Sequence, residues 1–100
     1  MEKTTYIDSV NEASREATMR LYGTIGSRVD GDYFAHELAS LDRDDFDQIH
    51  IRMNSPGGNV FQGMSIVSAI LSMNTPVCVH IDGIAASMAA VVAVAADRVC

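Results

Sequence analysis

A single hydroxyl stands in the run "DGIAASMAA", residues 82–90: Ser87, flanked by Ala85, Ala86, Met88, Ala89 and Ala90. Gly83 lies just upstream, where a β-rich run gives way to an alanine-rich one. A serine at a helix mouth sits in the positive field of the helix dipole, beside N–H groups that the helix itself leaves unpaired. Such donors can hold the oxyanion that forms when a serine attacks a carbonyl. The same position also suits a helix cap or a small packing residue. The second stretch with chemical potential is Ser55-Pro56-Gly57-Gly58. Paired glycines reach backbone geometries closed to other residues and let main-chain N–H groups approach a ligand, although Pro-Gly-Gly is also a plain turn signal.

The elements around these stretches follow from hydrophobic spacing. "DQIHIRMN" (47–54) alternates Ile49, Ile51 and Met53 against His50, Arg52 and Asn54, and predicts a strand leading into Ser55. "TPVCVHID" (75–82) is a continuous β-rich run, predicted as a strand buried on both faces and broken at Gly83. "RLYGTIG" (20–26) predicts a short strand, and "DRVC" the start of another. Between them, Phe34, Leu38 and Leu41 in 30–42 have helical spacing, with an Asp before the first turn as a cap. In 59–73, Val60, Met64, Val67 and Leu71 form a stripe joined by Ile66 and Ile70; the third helix is expected over 84–96, apolar all round. Strand and helix alternate, which implies an α/β fold of parallel strands with right-handed helical crossovers. Both candidate loops then stand at the carboxyl ends of strands, where open α/β sheets gather ligands. Residues 1–19 lack a period and read as a loosely ordered N-terminal arm, with 20–100 as the domain.

Composition narrows the classes. The chain has 100 residues, 48% of them hydrophobic and 20% charged, as expected of one modest globular domain. Residues 1–50 hold 11 of the 13 acids and 5 of the 7 Lys and Arg, so the net charge of −6 lies in the first half. With no basic patch, nucleic acid is not an expected partner. The 13-residue apolar run Ile84 to Ala96 falls short of the about 17–25 residues that span a bilayer, and "MEKTTYIDSV" does not read as a signal peptide. Cys78 and Cys100 lack metal-type spacing, and a reduced pair is expected, with Cys78 buried in its strand. Met64, Met73 and Met88 read as core filler, and the acidic "DRDDFD" (42–47) as a solvated loop.

Taken together and in order, "RMNSPGGNVFQGMSI" and "GIAASMAA" resemble the signatures of the proteolytic subunit of Clp protease. They look in particular like those of its phage relatives, the head-maturation (prohead) proteases. The resemblance covers residues 20–100. It implies a ClpP/crotonase-like ββα superhelix and a serine endopeptidase acting on polypeptide. Carried over position by position, it makes Ser87 the nucleophile and the N–H groups of Gly58 and Met88 the oxyanion hole. Gly57 and Gly83 would shape the supporting loops. No cofactor and no metal is implied. Partners implied are further copies of the chain in a ring, and either an ATPase or, for the phage relatives, capsid or scaffold protein. The place implied is the cytoplasm, the host's if the gene is a phage's.

The family's catalytic histidine follows the strand begun at "DRVC", and its acid comes later. The chain stops at Cys100 in mid-strand, so it is expected to be the nucleophile-bearing part of a domain incomplete at its C-terminus. A general base must come within about 2.6–3.2 Å of the hydroxyl it serves. His36 on a helix and His50 and His80 within strands are not placed for that, so the chain alone is expected to be inert. Two other readings are a crotonase-like acyl-CoA enzyme, using paired backbone N–H groups without a serine, and a non-catalytic assembly subunit.

Overall fold

The computed structural model describes residues 5–100. Its centre is the strand predicted around Ile49. β3 (Gln48–Ser55) buries every second residue, Ile49, Ile51, Met53 and Ser55. β2 (Glu16–Tyr22) does the same with Ala17, Met19 and Leu21. β4 (Val77–Ala85) pairs parallel to β3, and β3 parallel to β2. A two-residue strand, β5 (Arg98–Val99), pairs parallel to β4. The buried face of this sheet shares one core with α1 (Gly31–Asp42), α2 (Val60–Ser72) and α3 (Met88–Ala95). The opposite face is polar, carrying Glu16, Thr18, His50, Arg52 and His80.

Both long helices start where a side chain can replace the missing backbone partner. The Asp30 carboxylate accepts from the Tyr33 N–H at 3.1 Å, and the Asn59 amide oxygen from the Gln62 N–H at 2.9 Å. At its other end α1 is tied to the turn before β4, because Asp42 accepts from the Thr75 hydroxyl at 2.7 Å and the Thr75 N–H at 2.9 Å. Among the described residues no helix is long and apolar enough to cross a membrane.

Several expectations fail, each for a local reason. Residues 1–4 of the expected arm lie outside the described residues, but the rest is not loose. β1 (Ile7–Asn11) and β2 form an antiparallel hairpin, making β1 the edge strand of the order β1-β2-β3-β4-β5. Buried Glu37 anchors its start, accepting from the Thr5 hydroxyl and the Tyr6 N–H, each at 2.6 Å. The strand predicted at 20–26 accordingly begins earlier and ends at Tyr22. β4 is buried on both faces only from Val77 to Val79 and turns outward beyond His80.

The helix expected over 84–96 starts at Met88, because Ile84 and Ala85 extend β4. Nor is it covered all round: Met88, Ala89, Val92 and Ala93 are inside, while Val91 and Val94 are exposed. α2 buries only part of the apolar set predicted for it. Ile66, Val67 and Ile70 are buried with Gly63, whereas Val60, Met64 and Leu71 are exposed with Phe61. Met64 is therefore not core filler, whereas Met88 is buried and Met73 packs against the core. The cysteines, expected reduced, are joined as a disulfide between β4 and the residue after β5, with Cα atoms 6.0 Å apart.

Candidate active site

The two glycine-bearing stretches do meet. The Gly57–Ser55 turn is closed by its own side chain: Ser55, fully buried, accepts the Gly57 N–H on its hydroxyl at 3.1 Å. Its carbonyl accepts the Ala86 N–H at 3.2 Å, which stitches this turn to the segment before α3. Gly57 has φ 105°, and a Cβ there would lie 2.9 Å from the Ser87 Cβ and 3.0 Å from the Met88 nitrogen. Only a residue without a side chain fits between the two loops.

Gly58 is constrained from the other side. Ile25 donates its N–H to the Gly57 carbonyl at 2.8 Å and accepts the Asn59 N–H at 2.8 Å. In such a parallel bridge the N–H of Gly58 itself is turned away from Ile25. A Cβ on Gly58, at φ 143°, would meet the Ile25 carbonyl oxygen at 2.1 Å. Gly83 lies within β4 rather than in a loop. A Cβ there would come 2.6 Å from Asn54 Oδ1, which accepts the Ile84 N–H at 3.1 Å across an irregularity in the β3–β4 register.

Ser87 is the N-cap of α3, but its side chain makes no capping hydrogen bond. The residue is exposed and holds φ 55°, ψ −124°, a region that side chains other than glycine's avoid. The N–H of Met88, in the first turn of α3, has no partner within the helix. The Met88 side chain fills the space left by Gly63, where a Cβ would lie 2.3 Å from its Cγ. Ser55, which the sequence marks only as the start of the turn, and Gly63, which it does not mark, thus both support the site.

Beside this cluster the polar sheet face carries an ion-paired triplet. Asp82 bonds to the Arg52 guanidinium and accepts the Tyr22 hydroxyl at 2.6 Å. The Arg52 contact, then the Tyr22 one, holds the Asp82 carboxyl below its ordinary range. Farther back, His50 Nδ1 lies 2.8 Å from His80 Nε2, and His50 Nε2 lies 2.6 Å from Glu16. Burial, with Arg52 and His50 nearby, pushes the His80 pKa down. His36 packs against the Tyr33 ring on α1. Among the described residues no histidine is hydrogen-bonded to Ser87.

The same combination recurs in known proteins. A family model described as Clp protease matches residues 1–100. The chain belongs to the Clp protease family. The match includes the first 19 residues, which the motif resemblance had left out. This Clp-family chain is 41% identical over 76 residues to the ATP-dependent Clp protease proteolytic subunit of Bacteroides thetaiotaomicron, covering 71% of the chain and 34% of that protein. It is 44% identical over 55 residues to the same subunit of Pleurastrum terricola, covering 55% and 28%. Among solved structures, ClpP1 from Listeria monocytogenes superposes with a TM-score of 0.73 at 30% identity, over 84% of this chain and 48% of that one. The ClpP protease catalytic domain from Plasmodium falciparum gives 0.73 at 26%, over 85% and 47%. The chain therefore spans about a third or less of these curated relatives, and just under half of these solved chains. The expected α/β architecture of this family is present.

Proposed function

We propose that this chain is the nucleophile-bearing portion of a serine endopeptidase subunit. Ser87 attacks the scissile carbonyl, and the N–H groups of Gly58 and Met88 hold the oxygen as it becomes negative. The observation that carries this reading is the backbone of Ser87: an exposed serine at φ 55°, ψ −124°, its hydroxyl uncommitted to a cap, packed against Gly57. Strain of this kind costs about 1–3 kcal/mol and persists where surrounding structure enforces it, commonly at reacting groups. Gly57 and Gly83 set the approach of the two stretches, and Ser55 ties them together.

A serine without a general base is a weak nucleophile. With His50 and His80 engaged on the sheet and His36 on α1, the reading requires a base from outside the described residues. The polypeptide substrate, assembly into a ring and delivery by an ATPase belong to the same proposal. Capsid or scaffold processing is its phage form, and a cytoplasmic setting goes with either. A non-catalytic assembly role has its own support in the exposed apolar side chains of Val60, Phe61, Leu71 and Val94.

A fluorophosphonate probe applied to the longest natural form of the protein separates the two. Labelling that maps to Ser87 and disappears in Ser87→Ala, with the assembly preserved, supports the peptidase. Absence of labelling in an assembled protein that carries a histidine and an acid beyond residue 100 overturns it.

A further inference from the structure

We propose that the polar face of the sheet holds a divalent cation of the zinc class, bound by His50, His80, Cys78 and Cys100 when the two cysteines are in the dithiol state. The site lies away from Ser87 and is independent of the peptidase reading. Its three inner donors come from facing strands: His50 and Cys78 are direct partners across β3 and β4, and His80 is two residues farther on the same face. One ligand atom from each of His50, Cys78 and His80 lies within 4.8 Å of the other two. A tetrahedron built on bonds of about 2.0–2.3 Å has edges of about 3.3–3.8 Å. A pair at that limit has to close by about 1–1.5 Å. Cys100 is the fourth donor. The disulfide holds its sulfur against that of Cys78, and its N–H bonds the Val79 carbonyl at 2.8 Å.

The surroundings suit a metal better than they suit a bare histidine pair. Glu16, accepting from Nε2 of His50 at 2.6 Å, leaves the His50 Nδ1 lone pair aimed at His80 Nε2, 2.8 Å away. A carboxylate on the far nitrogen of a histidine is the usual second partner of a metal-bound imidazole. Cys78 is fully buried, so a thiolate there needs a cation beside it. Two imidazoles and two thiolates in a tetrahedron select zinc over harder cations. The open side is a cleft of about 330 Å³ bordered by Ser14, Thr18 and Arg52, which leaves a way in.

The chemistry balances. Two molecules of an external thiol reduce the disulfide, giving two cysteine thiols and one external disulfide. The cation then displaces both thiol protons to solvent. His80 moves its proton from Nε2 to Nδ1 and coordinates through Nε2, while His50 keeps its Nε2 proton on Glu16. The bound ion would tie β3 and β4 to the residue after β5.

Cobalt(II) titrated under nitrogen into the whole chain tests this, after thiol reduction and removal of the reductant. Expected is a saturable thiolate-to-cobalt absorption band at one ion per chain, displaced by zinc and absent from the oxidised protein. The near-isosteric Cys78→Ser should abolish tight binding, as should His80→Ala. Glu16→Gln should weaken binding about 10–100-fold, and His36→Ala should leave it unchanged. Circular dichroism checks that each variant folds; His50→Gln should also abolish tight binding, and His80→Gln replaces His80→Ala if that variant does not fold. No band in the reduced chain overturns the proposal, as does a band equally strong in a folded variant of His50 or His80.

Discussion

Replacing Ser87 by glycine should stabilise this chain, and replacing it by alanine should not. The structure holds Ser87 at φ 55°, ψ −124°, with no capping bond to lose. A non-glycine residue in such a region carries about 1–3 kcal/mol of strain. Glycine removes that strain, and its extra freedom in the unfolded chain takes back about 0.5–1 kcal/mol. The net gain is about 1 kcal/mol. Alanine keeps the Cβ and so keeps the strain. For a domain of this size 1 kcal/mol moves Tm by about 4–8 °C, and the urea midpoint by up to about 1 M. The assay is thermal and urea unfolding of the parent, Ser87→Gly and Ser87→Ala chains at matched concentration, followed by circular dichroism. The parent and Ser87→Ala should unfold together, with Ser87→Gly several degrees above both. If Ser87→Gly unfolds with or below Ser87→Ala, no strain is stored at this position, and the main support for its reactive role is gone.

Gly58→Ala should destabilise the chain by about 3 kcal/mol or more, because its Cβ would overlap the Ile25 carbonyl oxygen at a positive φ; urea unfolding near the parent midpoint would refute this. It follows that substitutions at Gly58 test the fold before they test an oxyanion hole. Asp82 titrates below its ordinary range, so the stability it contributes is present above the unfolded carboxylate pKa of about 3.9 and is lost as pH falls through the lower folded value. Asp82→Asn should therefore flatten the acid limb of urea midpoint against pH, and parallel limbs would count against the Arg52–Asp82–Tyr22 network. Phe61 is 85% exposed and Val94 75%, so the isolated chain should self-associate in light scattering. The pair Phe61→Asp and Val94→Asp should shift it toward monomer, and an unchanged mass would place the association elsewhere.

The local elements were legible where one period dominates. Ile49, Ile51 and Met53 could form only a half-buried strand, and Phe34, Leu38 and Leu41 with Asp30 before them only a capped helix facing inward. The paired motifs also identified the two stretches that meet at Ser87, because Gly57, Gly58 and Ser87 carry their meaning in residue type. Where two apolar faces compete, sequence alone could not choose. α2 offers Val60, Met64 and Leu71 as readily as Ile66 and Ile70, and packing against α1 and α3 decided for the second set. Gly83 signals a break, yet the chain stays a strand through Ala85, since the glycine makes room for the Asn54 amide of the neighbouring strand. β1 has almost no buried residue to give it a period and exists through pairing with β2 and the anchor at Glu37. Likewise, His50 is separated by 28 and 30 residues from Cys78 and His80, spacings with no meaning along a chain. They become neighbours only because parallel strands align their registers, which no local pattern encodes.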